Sequence, residues 1–292
     1  MKSILRKLAR ALLQFYPREY GKYSILQKIY FPYLSSYNLS TEVVRMRAGF
    51  RLYLRPVELL QAHLYLFGTY ELPTTNFVRR FLKVGDVVLD VGANIGYMSL
   101  FFGQCVGTNG KIYAFEPEHQ NHQALLANIA LNNAHNIIAQ RQAATDVEKA
   151  LKLYLAQDNF GAHSTVFNDE TLTETYEEIQ GMPLDTFIQK NQLDKIALVK
   201  IDVEGAEYEV LQGMKQILKQ QRPILIIELN DALQRKRGLS FASISEELTI
   251  EYDYQVFSTT EAGYLIEPQN HAFENSIFIP TEKMNQFKSI VL

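Results

Sequence analysis

Apolar residues follow two rhythms along this chain. After residue 80 they gather into short continuous runs: Val87, Val88, Leu89 and Val91; the stretch KIYAF at 111–115; Ala197, Leu198, Val199 and Ile201; and ILIIE at 224–228. Runs of that length mark strands covered on both faces, as in a parallel sheet. Between them, apolar positions fall at helical spacing: 97–102, then Leu125, Leu126, Ile129 and Leu131 within 118–132, then 210–219. Strand and helix alternate, which predicts an α/β sheet clothed in helices.

Either side of this core the rhythm changes. Residues 41–55 alternate apolar and polar around Ala48-Gly49, a β-hairpin signal ended by Pro56. Residues 57–67 and 74–82 read as helices, the second leading into the 87–91 strand. A third sheet strand is expected over 136–144 and a short one over 151–155. The polar stretch 160–165 reads as a loop. Residues 169–178 carry Asp169, Glu170, Glu174, Glu177 and Glu178 without a lysine or arginine, and read as a solvated face. Near the end, 254–258, 264–266 and 276–279 suggest short strands, with a final antiparallel pair added to the sheet.

Composition narrows the class. With 292 residues, 47% of them hydrophobic, the chain can bury a full α/β core. A net charge of −3 implies no overall attraction to nucleic acid. The single cysteine, Cys105, excludes an internal disulfide and the usual zinc cluster. No apolar run approaches a membrane span, and the cytoplasm is the expected compartment. Residues 1–37 stand apart. Lys2, Arg6, Lys7, Arg10, Arg18, Lys22 and Lys28 face only Glu19, and are interleaved with Ile4, Leu5, Leu8, Leu12, Leu13, Phe15, Tyr16 and Tyr20. Two readings stand: peripheral contact with an anionic membrane through residues 1–30, or packing on the main domain or a second subunit in a homo-oligomer.

Candidate chemistry sits where strands end. VGDVVLDVGANIG at 84–96 is strand, glycine turn and helix start. Its order, D-x-G-x-N-x-G, differs from the dinucleotide fingerprint. Asp90 at the strand end would repel a pyrophosphate and welcome an ammonium, which suits the amino-acid end of S-adenosylmethionine. Gly92 and Gly96 allow close backbone approach, and free amides at the helix start favour a polar ligand group. One βαβ unit on, Glu116 occupies the place of a ribose-binding carboxylate. The second centre is IALVKIDVEGAE at 196–207, where Lys200, Asp202, Glu204 and Glu207 crowd a strand's carboxyl end; such charges must pair or serve a ligand. Because ligands bind at the carboxyl ends of an open α/β sheet, Asp202 should share a crevice with Asp90 and Glu116. Glu71 either points into that site or sits as a carboxylate at a helix start. Asp146 either approaches an adenine amino group or is a solvated turn residue.

These segments resemble the FkbM family of S-adenosylmethionine-dependent methyltransferases. The resemblance rests on GTYE at 68–71, VGDVVLDVGANIG at 84–96, GKIYAFEPE at 110–118, LNN at 131–133, MPLDTF at 182–187, VKIDVEGAE at 199–207, VLQG at 210–213 and RPILIIELN at 222–230, and covers about 41–280. It implies a class I, Rossmann-like methyltransferase fold: a seven-stranded, mostly parallel sheet with an antiparallel C-terminal strand. That domain is expected over 71–292, preceded over 1–70 by a basic helical and hairpin extension. It implies S-adenosylmethionine as cofactor, held by Asp90, Gly92, Asn94, Gly96 and Glu116, with Glu71 and Asp146 as further contacts. It implies transfer to a hydroxyl on a sugar, glycan or secondary metabolite. Asp202 is the first candidate for general base, supported by Lys200; Glu228 and His163 follow. Lys200 is expected to pair with one neighbouring carboxylate and leave Asp202 free. Glu204, Glu207 and His271 are expected to meet the acceptor. Asp202, Glu228 and Asn230 have oxygens that suit magnesium, but no metal is assigned. The competing readings are a nicotinamide-dependent oxidoreductase, an aminopropyltransferase and a non-catalytic adenosyl-binding scaffold.

Overall fold

The computed structural model describes residues 2–16, 18, 20–35, 40–156, 164–165, 172–229, 231–268 and 275–292. In chain order the strands are β1 (Glu42–Arg45), β2 (Arg51–Leu54), β3 (Val87–Val91), β4 (Lys111–Phe115), β5 (Ile137–Gln140), β6 (Ala143–Ala144), β7 (Lys149–Ala156), β8 (Leu172–Met182), β9 (Leu198–Ile201), β10 (Ile224–Glu228), β11 (Tyr254–Thr259), β12 (Leu265–Ile266) and β13 (Asn275–Pro280). The α-helices are α1 (Lys2–Leu13), α2 (Lys22–Ile25), α3 (Leu59–Phe67), α4 (Leu72–Phe81), α5 (Tyr97–Val106), α6 (His119–Leu131), α7 (Leu184–Asn191), α8 (Glu207–Gln212), α9 (Asp231–Lys236) and α10 (Phe241–Ile250).

The main sheet runs β12-β11-β13-β10-β9-β3-β4-β5. β5, β4, β3, β9 and β10 are parallel, and β13 inserts antiparallel between β10 and β11. This is the seven-stranded class I order with the two-residue β12 added at one edge. β3 lies at the centre because both its faces are apolar: Val88 and Leu89 are fully buried, and each such side chain contributes about 1.5–3 kcal/mol. Strand order reverses between β3 and β9. The carboxyl ends of β3 and β9 therefore open a crevice there.

One strand expectation is corrected. The strand read over 136–144 splits: Ile137–Gln140 stays in the main sheet, while Ala143–Ala144 joins a separate three-stranded sheet, β6-β8-β7. Most of the acidic stretch expected as a solvated face is β8, paired antiparallel with β7, and Glu178 is exposed on it. Its Glu177 accepts from the His119 amide and pairs with Arg141, so its charge is matched across elements rather than by sequence neighbours.

The hairpin β1–β2 forms as expected. It is tied to α6 through Asn128, fully buried, whose Oδ1 accepts from the Tyr53 amide and whose Nδ2 donates to the Ile95 carbonyl. That turns α6 so that Leu126, read as a core position, is exposed. Val44, Leu52, Leu64 and Phe67 share one core with Phe101, Phe102 and Ile226. The hairpin and α3 are thus continuous in packing with the sheet that follows.

Candidate active site

A cavity of about 700 Å³ opens at the carboxyl ends of the strands. Its floor is the turn after β3. Gly92 has φ +86°, and a Cβ there would lie 1.7 Å from the Asp202 carbonyl oxygen, so only glycine lets the chain leaving β9 close against the turn. Gly96, also left-handed, starts α5, and its Cβ would meet Leu125 at 2.5 Å. Asn94 has φ 50°, a conformation asparagine tolerates, and its Oδ1 accepts from the Ile95 amide.

Glu116, one residue beyond β4, is bound to that turn through backbone donors. Its Oε2 accepts from the Asn94 amide at 2.8 Å and its Oε1 from the Glu118 amide at 2.9 Å. Each oxygen keeps a further lone pair for a ligand hydroxyl. Burial pushes the carboxyl up to about 8, against the two amide donors.

Asp90 is buried in β3, its Oδ2 accepts from Ser99 Oγ at 2.5 Å, and it does not form part of the cavity wall. It is the cross-strand partner of Lys200 on β9. Its Oδ1 has no hydrogen-bond partner among the described residues. Burial raises its pKa, and the Lys200 charge opposes the rise.

Opposite the glycine turn stands an acidic wall. Lys200, almost fully buried, lies 2.9 Å from Asp202 Oδ2 and 3.7 Å from Glu71 Oε1. Lys200 thus pairs with Asp202 itself, which corrects the expectation that Asp202 stays free of it. Burial disfavours the ammonium, yet Asp202, Glu71, Asp90 and Glu228 together hold its pKa above the lysine range. Asp202 keeps 24% of its side chain exposed to the cavity. Glu71 makes no helix-cap bond; it faces Lys200, and its Oε2 accepts from Asn275 Nδ2 at 2.6 Å. Of its two readings, the structure gives the one that points inward. Glu228 ends β10 beside Asn275 on β13. One oxygen each of Glu71, Asp202 and Glu228 lies within 4.8 Å of the others. Burial, then the Asp202 charge, push Glu228 well above the usual carboxylate range; burial raises Glu71 against Lys200. Glu204, with φ 51°, lines the same cavity, and burial carries it to about 8.

Other expected residues fall elsewhere. Glu207 is turned away from the cavity: one oxygen accepts from the Gly205 amide in the loop before α8 and the other from the Gln234 side chain on α9. Asp146 pairs with Lys149 and Thr145, and it is Thr145 that reaches the cavity. His163, Asn230 and His271 lie outside the described residues. Sequence reading missed the roof, in which His63 and Tyr70 meet edge to face and the Tyr70 amide donates to the Tyr97 hydroxyl. Burial takes His63 down to about 3, so its imidazole is neutral. Tyr70 adjoins Glu71 in the GTYE stretch, a signal that could have found it; nothing local marks His63.

The sequence model of the methyltransferase FkbM domain matches residues 90–266, more than half of the chain. This chain belongs to the FkbM methyltransferase family. Its cofactor is S-adenosylmethionine. The hexuronic acid methyltransferase AglP of Haloferax volcanii is 29% identical to this FkbM-family chain over 168 residues, 56% of this chain and 65% of that protein. Methyltransferase sdnD of Sordaria araneosa is 27% identical over 163 residues, 46% and 62%. The chain thus spans a little under two thirds of each relative's length. A crystal structure of an FkbM methyltransferase from Methylobacillus flagellatus superposes with a TM-score of 0.43 at 18% identity, covering 66% of this chain and 43% of that one. The site fits the cofactor. Gly92 lines the cavity beside Asn94 and Ile95, Glu116 offers fixed acceptor lone pairs, and the carboxyl groups of Glu71, Asp202 and Glu228 suit a ligand of net positive charge.

Proposed function

We propose that this chain is an S-adenosylmethionine-dependent O-methyltransferase acting on a hydroxyl of a sugar, glycan or related acceptor. The observation that carries the reading is Asp202: a partly exposed carboxylate on the cavity wall, anchored at 2.9 Å by a buried lysine and close to Glu71 and Glu228. When bound, the cofactor supplies an electrophilic methyl group on a sulfonium. The chain's own part is to hold the acceptor oxygen in line and remove its proton.

Glu116 would take the ribose diol, and the amides around Gly92–Gly96 would border the rest of the cofactor. Asp202 would accept a hydrogen bond from the acceptor hydroxyl and then its proton. Lys200 keeps Asp202 oriented and stays charged throughout. Glu71 and Glu228, on the same wall, would accept hydrogen bonds from neighbouring acceptor hydroxyls. Glu204 would meet the acceptor from the same wall. The hydroxyl-rich acceptor class is supported by this density of carboxyl groups and by the hexuronic acid named for AglP. We read 71–292 as the catalytic domain, with the 1–70 extension closing its roof through Leu59, Leu60 and His63.

Single-turnover methyl transfer to a panel of sugar acceptors by the Asp202→Asn variant tests the assignment. The rate should fall by about 10²–10⁴, with cofactor affinity near wild type. A near-normal rate would remove Asp202 as base. Cofactor binding by the wild type with no transfer to any hydroxyl would favour a binding scaffold instead.

A further inference from the structure

The extension at 1–37 meets the body of the protein in an unusual sense. On α1 the inward face carries arginines. Arg6 is buried and donates to the Leu34 carbonyl; Arg10 donates to the Arg45 carbonyl and lies over the Tyr65 ring. Ala9 and Leu13 complete that inner face. The outward face is apolar. Ile4, Leu5, Leu8 and Leu12 lie at helical spacing along one stripe, with Leu8 57% and Leu12 76% exposed, and Phe15 follows at 76%. Tyr20, Tyr23, Ile29 and Tyr33 add exposed aromatic and apolar groups from the next turn and helices. Lys7, Arg18 and Lys28 are exposed among them.

Charge separates the same segment from the rest. Residues 1–37 hold seven lysines and arginines against one glutamate, whereas the remainder holds 22 against 31 acidic residues. An apolar stripe of this kind must be covered by something. Of the seven, Arg6, Arg10 and Lys22 are turned inward or buried, and Lys7, Arg18 and Lys28 stay exposed around the stripe, so a second copy of the same face would set like charges against one another. An anionic surface attracts this face and repels the acidic body, so it also fixes orientation. Among the described residues no helix is long and apolar enough to cross a membrane, so the contact would lie in the interfacial plane.

We propose that residues 1–37 dock the protein on an anionic lipid bilayer, with the outward face of α1 embedded among the headgroups and the exposed tyrosines at the interface. Lys22 and Tyr23 of the same segment line the cavity. Docking therefore brings the cavity mouth towards the membrane, where an acceptor attached to a lipid would be presented. The docking surface is separate from the catalytic wall, so it stands or falls independently of the methyl-transfer reading.

Co-sedimentation of the full chain with phosphatidylcholine vesicles, with and without phosphatidylglycerol, tests this. The wild type should bind the anionic vesicles, weakly bind the neutral ones, and lose binding as salt rises. Leu8→Ser with Leu12→Ser removes two exposed leucines and should lower partitioning by about tenfold or more, with the melting temperature unchanged. Lys7→Glu with Lys28→Glu should lower it on anionic vesicles only. Three results would overturn the proposal: no binding by the wild type, undiminished binding by the leucine variant, or a wild-type dimer in lipid-free buffer that the leucine variant dissolves.

Discussion

The two sides of the cavity hold their carboxylates by opposite means. On the glycine-turn side, Glu116 is fixed by two backbone amides, from Asn94 and Glu118, which cannot move without unmaking the turn. On the β9–β10 side, Glu71, Asp202, Glu204 and Glu228 gather around one side-chain cation, Lys200. Backbone donors are uncharged and preorganised, so the first arrangement gives fixed geometry. A buried ion cluster depends on every member, so the second gives chemistry that responds to protons and to substitution. Cofactor recognition belongs to the first side in our reading, and proton transfer to the second.

The largest effect is expected where the two sides touch. Gly92→Ala must displace the Asp202 carbonyl and adopt a left-handed backbone as well, and should cost more than about 4 kcal/mol, seen as loss of soluble folded protein. Next, Lys200→Met removes the buried cation that Asp202 and Glu71 share. Chemical denaturation should report about 3–5 kcal/mol lost at neutral pH, with much of it recovered in acid as the carboxylates protonate. A variant equally unstable at both pH values would mean that Lys200 acts by packing alone. Glu116→Gln should be milder and confined to binding. Its amide NH₂ must face one of two backbone N–H donors, and S-adenosylmethionine affinity should drop by about 1.5–3 kcal/mol in calorimetry, with the single-turnover rate at saturation preserved. A fall in that rate instead would erase the division between the two sides.

A further effect is on pH. Glu116 and Glu204 are carried up to about 8 and Glu207 to about 7 by burial, and Glu71 and Glu228 are also raised. A carboxyl with a raised folded pKa holds its proton more tightly when folded. Its contribution is therefore present below the unfolded value near 4.5 and lost as pH rises through the folded value. The melting temperature of the cofactor-free protein should fall between about pH 5 and 8, and Glu204→Gln should flatten that slope. A melting temperature that rises across this window would show the cluster to be ionised and well paired.

Much of the site was legible in the sequence because its signals are local. The run VVLDV followed by two glycines specifies strand, turn and helix within a few residues, and KIYAFEPE places Glu116 at the next strand end by simple alternation. The acidic wall was legible only in part. Asp202 and Lys200 are two residues apart and were found; Glu71 could be read two ways, and its meeting with Glu228 spans most of the chain. The solvated acidic face is legible from composition, whereas the partners of Glu177, Arg141 and the His119 amide, are not, because they come from other elements. Leu126 was read as core because hydrophobic spacing does not reveal that Asn128, with its two backbone bonds, would take the buried face of α6.

By itself, then, the sequence determined the order of strands and helices and the residues that end each strand, since side-chain period and glycine conformation act over a few residues. The tertiary structure decided which of those ends converge. β9 lies beside β3 although more than 100 residues separate them, and that adjacency places Asp90 beside Lys200 and the Asp202 carbonyl against Gly92. It also decided which carboxylate Lys200 pairs with, because a buried charge takes the partner that packing brings within reach, and sequence spacing does not encode that distance.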